Sequence, residues 1–205
     1  HKYQYALYPD LTNDPIVHKL AIQPAEPAMS FFSKIFSKDK PNAGMRPLYE
    51  SIVQEGRQIA WYEEGQVPDS IDGRFDMIAA IFALVMIRLE KEEDRGQDIA
   101  WLTEIFISDM DGQLRQIGIG EMVVGKHVGR MMGALGGRVG AYRKALENGA
   151  NLEDAILRNI FRGEKPDDAA LAYVARQLAA YHAALRGLDS SEIIAGKLPD
   201  SGSAK

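Results

Sequence analysis

From Arg46 onward the apolar residues of this chain recur at three- and four-residue steps, the spacing of one face of an α-helix. Leu48, Ile52 and Ile59, with Val53 and Ala60, predict a first helix over 47–64, ended by Gly65 and Pro68. A second is expected over 73–93. Its centre, Met77 to Ile87, is apolar on every side and closed by Arg88, the pattern of a helix buried all round. Ile99, Leu102, Phe106, Met110 and Leu114 mark a third over 98–117, with Gly118 in the C′ position.

The fourth segment, 121–148, carries Gly125, Gly129, Gly133, Gly137 and Gly140. Each glycine costs about 1 kcal/mol against alanine inside a helix. One expectation is a glycine ridge that lets a neighbouring helix approach, with a break or bend in the helix. Two shorter helices parted near Gly136-Gly137 are the alternative. Asn151 is expected to cap a helix over 152–161, and Pro166 to occupy the first position of one running to Leu185, closed by Gly187. Asp189-Ser-Ser-Glu192 resembles a capping box for a last short helix. No strand-like alternation and no internal repeat is visible. The expected fold is all-α, a single-domain bundle of about six to seven helices spanning 45–198.

The flanks differ. Residues 1–28 are Tyr- and Pro-containing without a sustained period. They read as a leader outside the fold, with Met29 as the expected natural start and a short ordered arm as the alternative. Residues 29–44 hold an amphipathic start and a linker. Phe31, Phe32, Ile35 and Phe36 recur at helical spacing, with Lys34 and Lys38 elsewhere, which suits shallow contact with an anionic membrane surface. Residues 199–205 are a polar tail, expected to be disordered.

The chain has 205 residues, enough for one sizeable core, and no cysteine, which excludes thiol catalysis, disulfides and cysteine metal sites. A net charge of −5 argues against nucleic acid as a main partner. The longest apolar run falls short of the roughly 20 residues a membrane-spanning helix needs. The expected location is cytoplasmic.

A helix bundle raises the possibility of a di-iron centre, but neither His127 nor His182 has a glutamate three residues before it. No nucleotide-binding or hydrolase motif is present. No metal, cofactor or catalytic set is therefore expected, and the chain reads as no enzyme. A helical-bundle enzyme or binder for an apolar isoprenoid- or quinone-like ligand is the alternative, weakened by the absence of an Asp-Asp-x-x-Asp spacing.

The densest cluster of unusual residues is Val67-Pro-Asp-Ser-Ile-Asp-Gly-Arg-Phe-Asp-Met77. Ser70 or Asp72 suits an N-cap, and Ile71 a hydrophobic staple. Asp76 suits the positive end of the helix dipole. Arg74 does not, and calls for a carboxylate: Asp69, Asp109 or Asp111, with the last two favoured. Asp111 and Arg115 stand four apart and can pair. Two readings stand for these residues, a salt-bridge knot tying the second and third helices or a charged surface that recognises a partner.

Four stretches in order carry a resemblance to the ubiquinol–cytochrome c chaperone family. They are Leu48-Tyr-Glu-Ser-Ile-Val53, Val67–Met77, Asp109-Met-Asp-Gly-Gln-Leu-Arg115 with Ile117-Gly-Ile-Gly120, and Val124-Gly-Lys126 with Gly137-Arg138 and Ala141-Tyr-Arg-Lys-Ala-Leu146. Leu157-Arg-Asn-Ile-Phe-Arg162 resembles the bacterial branch. The chain departs from the family pattern at Glu121, where Asp is expected, and at Ala134-Leu-Gly-Gly137, where an aromatic is usual. The resemblance implies an all-helical, non-enzymatic assembly factor of the cytochrome bc complex that protects new cytochrome b. A small partner subunit and peripheral attachment to the cytoplasmic face of the inner membrane belong to the same expectation. It makes Asp72, Arg74, Asp76, Asp109, Asp111 and Arg115 candidates for recognising client or partner, followed by Arg138, Tyr142 and Arg143.

Overall fold

The computed structural model describes residues 41–116 and 124–199; within them, the side chains at 41, 111, 113–116 and 124–131 are not described. Phe31, Phe32, Ile35 and Phe36 lie outside the described residues, as do the expected leader and most of the tail. Eight α-helices follow a 3-10 turn at Pro41–Met45. They are α1 Arg46–Gly56, α2 Ile59–Glu63, α3 Ile71–Leu89, α4 Gly96–Gln116, α5 Val124–Glu147, α6 Leu152–Asn159, α7 Asp168–Arg186 and α8 Ser190–Ile194. Six have eight residues or more, and α2 and α8 are single turns. The described residues contain no strand, so the fold is an all-α single-domain bundle.

Helix α3 is the axis of the bundle. Its run Met77–Ile87 is never more than 3% exposed. Helices α1, α5 and α7 surround it, and α6 packs on α5 and α7. Burial on all sides is what an uninterrupted apolar run requires, since each buried aliphatic side chain contributes about 1.5–3 kcal/mol. The N-terminus of α3 is fixed by Ser70, whose backbone is extended and whose Oγ accepts the Gly73 N–H at 3.1 Å. Gly73 is buried against the approaching loop, and a Cβ there would overlap the Pro68 carbonyl oxygen. Ile71 does not act as a staple, for it is 67% exposed.

The expected helix over 47–64 divides at Arg57-Gln58. Two side chains from the next turn satisfy the carbonyls left at the end of α1. Trp61 Nε1 donates to the Glu55 carbonyl at 3.1 Å and Tyr62 Oη to the Gly56 carbonyl at 2.7 Å. The break also lets the end of α1 touch α3, where a Cβ on Gly56 would stand 2.9 Å from Ile78 Cα.

Helix α5 runs without interruption through Gly136-Gly137, so the two-helix alternative is wrong. At Gly137 an added Cβ would meet nothing within 4 Å, so close approach is not its reason. Gly137→Ala is therefore expected to stabilise the fold by about 0.5–1 kcal/mol, seen as a raised denaturant midpoint. Pro166 stands before the Asp167 cap of α7 rather than at its first position. Asn151 and Asp189 cap α6 and α8 through their side chains.

The far end of α3 is held by Arg88, which donates to the Leu185 and Leu188 carbonyls at 3.2 and 2.8 Å and pairs with Glu92. Close by, His182 is 5% exposed, and neither ring nitrogen has a partner among the described residues. Burial lowers its pKa below the ordinary 6.5, with Arg186 of its own helix and Lys91 acting the same way and Glu147 of α5 opposing. The folded state thus holds His182 neutral. At pH values below about 6.5 the unfolded chain binds the extra proton, so this contribution to stability falls as pH drops. His182→Met is expected to flatten that fall, measured as the difference in melting temperature between pH 7.5 and 5.5.

Candidate functional site

The charged residues at the start of α3 divide into a buried set and an exposed set. Asp76, one turn into the helix, is completely buried. Arg138 of α5 reaches it with Nη2 at 2.5 Å, and Arg162, from the loop after α6, with Nε at 2.6 Å. Arg162 also places Nη1 2.7 Å from Asp72. Burial pushes the Asp76 carboxyl upward, while the hydrogen bonds and charges of Arg162 and Arg138 pull it back. With a guanidinium on each oxygen, the carboxylate stays ionised at neutral pH. Arg138 also lies over the Phe75 ring, 5.4 Å from its centre. Tyr142, one turn along α5, is fully buried, and burial raises its hydroxyl above the ordinary range.

This cluster joins α3, α5 and the α6–α7 loop. It has the character of an internal tie, since neither Asp76, Arg138 nor Tyr142 offers an accessible surface in this fold. Arg162 is not among the sequence candidates, although it ends the Leu157–Arg162 stretch that carries part of the resemblance. The signal that would have found it is the surplus of acids in Val67–Met77, which needs more cations than Arg74. Arg162 holds a left-handed backbone, φ 54°, beside Gly163 at φ 89°. Such a backbone is uncommon for a non-glycine residue and is retained here by two ion pairs.

The exposed set is arranged differently from expectation. The carboxylate that answers Arg74 is Asp69, at 2.6 Å in the loop just before α3, and both side chains are exposed. Asp109 instead accepts a hydrogen bond from Tyr49 Oη of α1 at 2.6 Å. Burial, followed by the Asp109 hydrogen bond, raises the Tyr49 hydroxyl. Helices α3 and α4 meet through rings, with Phe106 centred 4.6 Å from Phe82 and 5.9 Å from Phe75. Among the described residues the contact between the second and third helices is aromatic, and the buried ionic cluster ties α3 to α5 and to Arg162. Arg143 pairs with Glu90 past the C-terminus of α3, at the other end of that helix from Asp76. The side chains of Asp111 and Arg115 lie outside the described residues.

The loop before α3 and the loop before α7 are bound to each other. Gln66, with φ 52°, donates through Nε2 to Asp167 at 2.7 Å, and the Asp167 N–H donates back to Gln66 Oε1 at 3.3 Å. Tyr62 lies close enough to feel both Arg74 and Asp69, and burial pushes its hydroxyl up to about 12. Among the described residues no group of three or more His, Cys, Asp or Glu could hold a metal ion. No described helix is long and apolar enough to cross a membrane.

Comparison with known proteins adds identity to geometry. The family model described as ubiquinol-cytochrome C chaperone matches residues 63–200. That span begins at the last residue of α2 and takes in every residue of the buried ionic cluster. A solved structure, that of the Cbp3 homolog from Brucella abortus, is similar with a TM-score of 0.70 and 28% identity, over 86% of this chain and 97% of that one. A search of curated proteins finds no match.

Proposed function

Because this chain belongs to the ubiquinol–cytochrome c chaperone family, we propose that it binds newly made cytochrome b and holds it for assembly into the cytochrome bc complex. The observation that carries this reading is the match of the family model across 63–200, which covers most of the bundle. The family is one of assembly factors without catalysis, and the helical-bundle enzyme remains the weaker alternative, with no observation in its favour. Binding by such a protein is surface chemistry: apolar segments of an unassembled membrane protein have to be shielded from water and from one another.

Among the described candidates Asp72, Arg74 and Asp109 are exposed, and recognition is assigned to them. Asp76, Arg138 and Tyr142 act beneath them by fixing the helices that present them. Work on a membrane protein places the chain at the cytoplasmic face of the inner membrane, with Phe31, Phe32, Ile35 and Phe36 making shallow lipid contact. A small partner subunit belongs to the same proposal.

The test is a deletion strain of the host. Its membranes are expected to lose the b-type haem signal of the bc complex in reduced-minus-oxidised spectra, and a plasmid copy is expected to restore it. Normal cytochrome b levels and spectra in the deletion would sink the proposal.

A further inference from the structure

One guanidinium balances a buried carboxylate, and this fold gives Asp76 two. Arg138 holds one oxygen from within the core, its side chain 8% exposed. Arg162 holds the other at 2.6 Å and is 48% exposed. It does so from a left-handed backbone, φ 54°. Strain of that kind in a non-glycine residue gathers where a side chain has to be held ready for a ligand. Arg162 has a second anchor in Asp72, 2.7 Å from Nη1 and 70% exposed.

The pair is not saturated. A guanidinium carries about five N–H donors and a carboxylate about four acceptor sites. Arg162 engages Nε and Nη1, and Asp72 engages Oδ2. Arg162 Nη2 and Asp72 Oδ1 have no partner among the described residues, and they belong to side chains in contact at the surface. The fold has no acceptor to spare for them. Arg138 Nε and Tyr142 Oη, both buried in the same cluster, already find no partner among the described residues. Two acids and two arginines cancel, so the point offers no net charge to an ion. A fixed donor beside a fixed acceptor matches a group with the reverse pair. The peptide unit is such a group, for its C=O accepts and its N–H donates. A membrane protein awaiting its partner subunits presents loops in which those groups are still unpaired.

We propose that Arg162 and Asp72 form a clamp for a peptide group of the client, Arg162 donating to the carbonyl and Asp72 accepting from the N–H. Asp76 acts as the buried anchor that holds Arg162 in place, so little freedom is lost when the client arrives. The assignment rests on the reading of the chain as a cytochrome b chaperone and adds to it a residue, Arg162, and the chemistry of the contact.

The test uses the full chain, tagged and expressed in its host, with cytochrome b measured in the purified material. Asp72→Ala is expected to capture at least about tenfold less cytochrome b than the unaltered chain, the loss of one hydrogen bond to a charged group. Its melting temperature is expected to stay within about 2 °C, because an exposed ion pair contributes little to stability. Arg162→Lys keeps a cation for Asp76 but replaces the planar fork by a single ammonium, and is expected to lose capture as well. The ratio of capture between the unaltered chain and Asp72→Ala is expected to be the same at low and high salt, since a peptide group carries no net charge. A ratio that falls toward one in high salt would make the client group an ion and overturn the assignment. Equal capture by Asp72→Ala and the unaltered chain would overturn it too and leave the chaperone reading intact. In either variant, a loss of capture that follows a fall in melting temperature would make the pair structural, with the same consequence. No capture by the unaltered chain would remove the chaperone reading, and this assignment with it.

Discussion

Asp76→Ala is expected to lower the stability of the fold by about 3–5 kcal/mol, because it leaves the Arg138 guanidinium enclosed without its counter-charge. Arg138 is 7% exposed and cannot turn to water without opening the contact between α3 and α5. Arg162, half in solvent, loses less. In a thermal melt the effect reads as a fall on the order of 10 °C. Asp76→Leu/Arg138→Met, which removes both charges and keeps the volume, is expected to recover much of the loss, since a buried pair is harder to break than to replace. Should Asp76→Ala melt within a degree or two of the unaltered chain, the cluster would have no structural weight. Cytochrome b capture measured on the double variant separates the cluster's role in stability from a role in recognition.

Gly73→Ala is expected to cost about 2–3 kcal/mol, at the upper end of what one added methyl does in a packed region. Most overpacked sites relax by rotating a side chain. Here the obstacle is the Pro68 carbonyl, so the backbone of the loop has to move. Moving it disturbs the Ser70 cap and, two residues behind Pro68, the Gln66–Asp167 contact. The predicted reading is a lower denaturant midpoint with an unchanged slope. Gly137→Ala is the companion measurement, with the same chemical change, open space around it and the opposite sign.

The helices were legible because their cause is local. The all-round apolar run of α3, the periodic faces of α4 and α7, and the Asn151 and Gly187 boundaries are written in neighbouring residues. The Arg57-Gln58 break was not, because it depends on Trp61 and Tyr62 folding back to the carbonyls of α1. Nothing in the spacing of Leu48, Ile52 and Ile59 records that return. The glycines of α5 misled in another way. Composition registers a glycine's cost but not whether space exists beside it, and at Gly137 there is space.

The candidate site was half legible. Its residue types were recognisable as a set, and Arg74 was seen to need an acid. The pairing was not recoverable, since Asp76 finds its partners 62 and 86 residues away, and a helix-start carboxylate looks the same in sequence whether it faces a dipole or two arginines. Exposure was the other hidden quantity. Ile71 has the sequence position of a staple and yet stands 67% exposed.

The span of the Asp76 cluster also orders events in time. A ribosome delivers α3 first, then Arg138, and Arg162 last. Until residue 162 has left the exit tunnel, the carboxylate at the head of the central helix lacks one of its two cations. Enclosing it before then is opposed by desolvation. A nascent chain ending before Arg162 therefore lacks one of the two ion pairs that Asp76 makes in the complete fold.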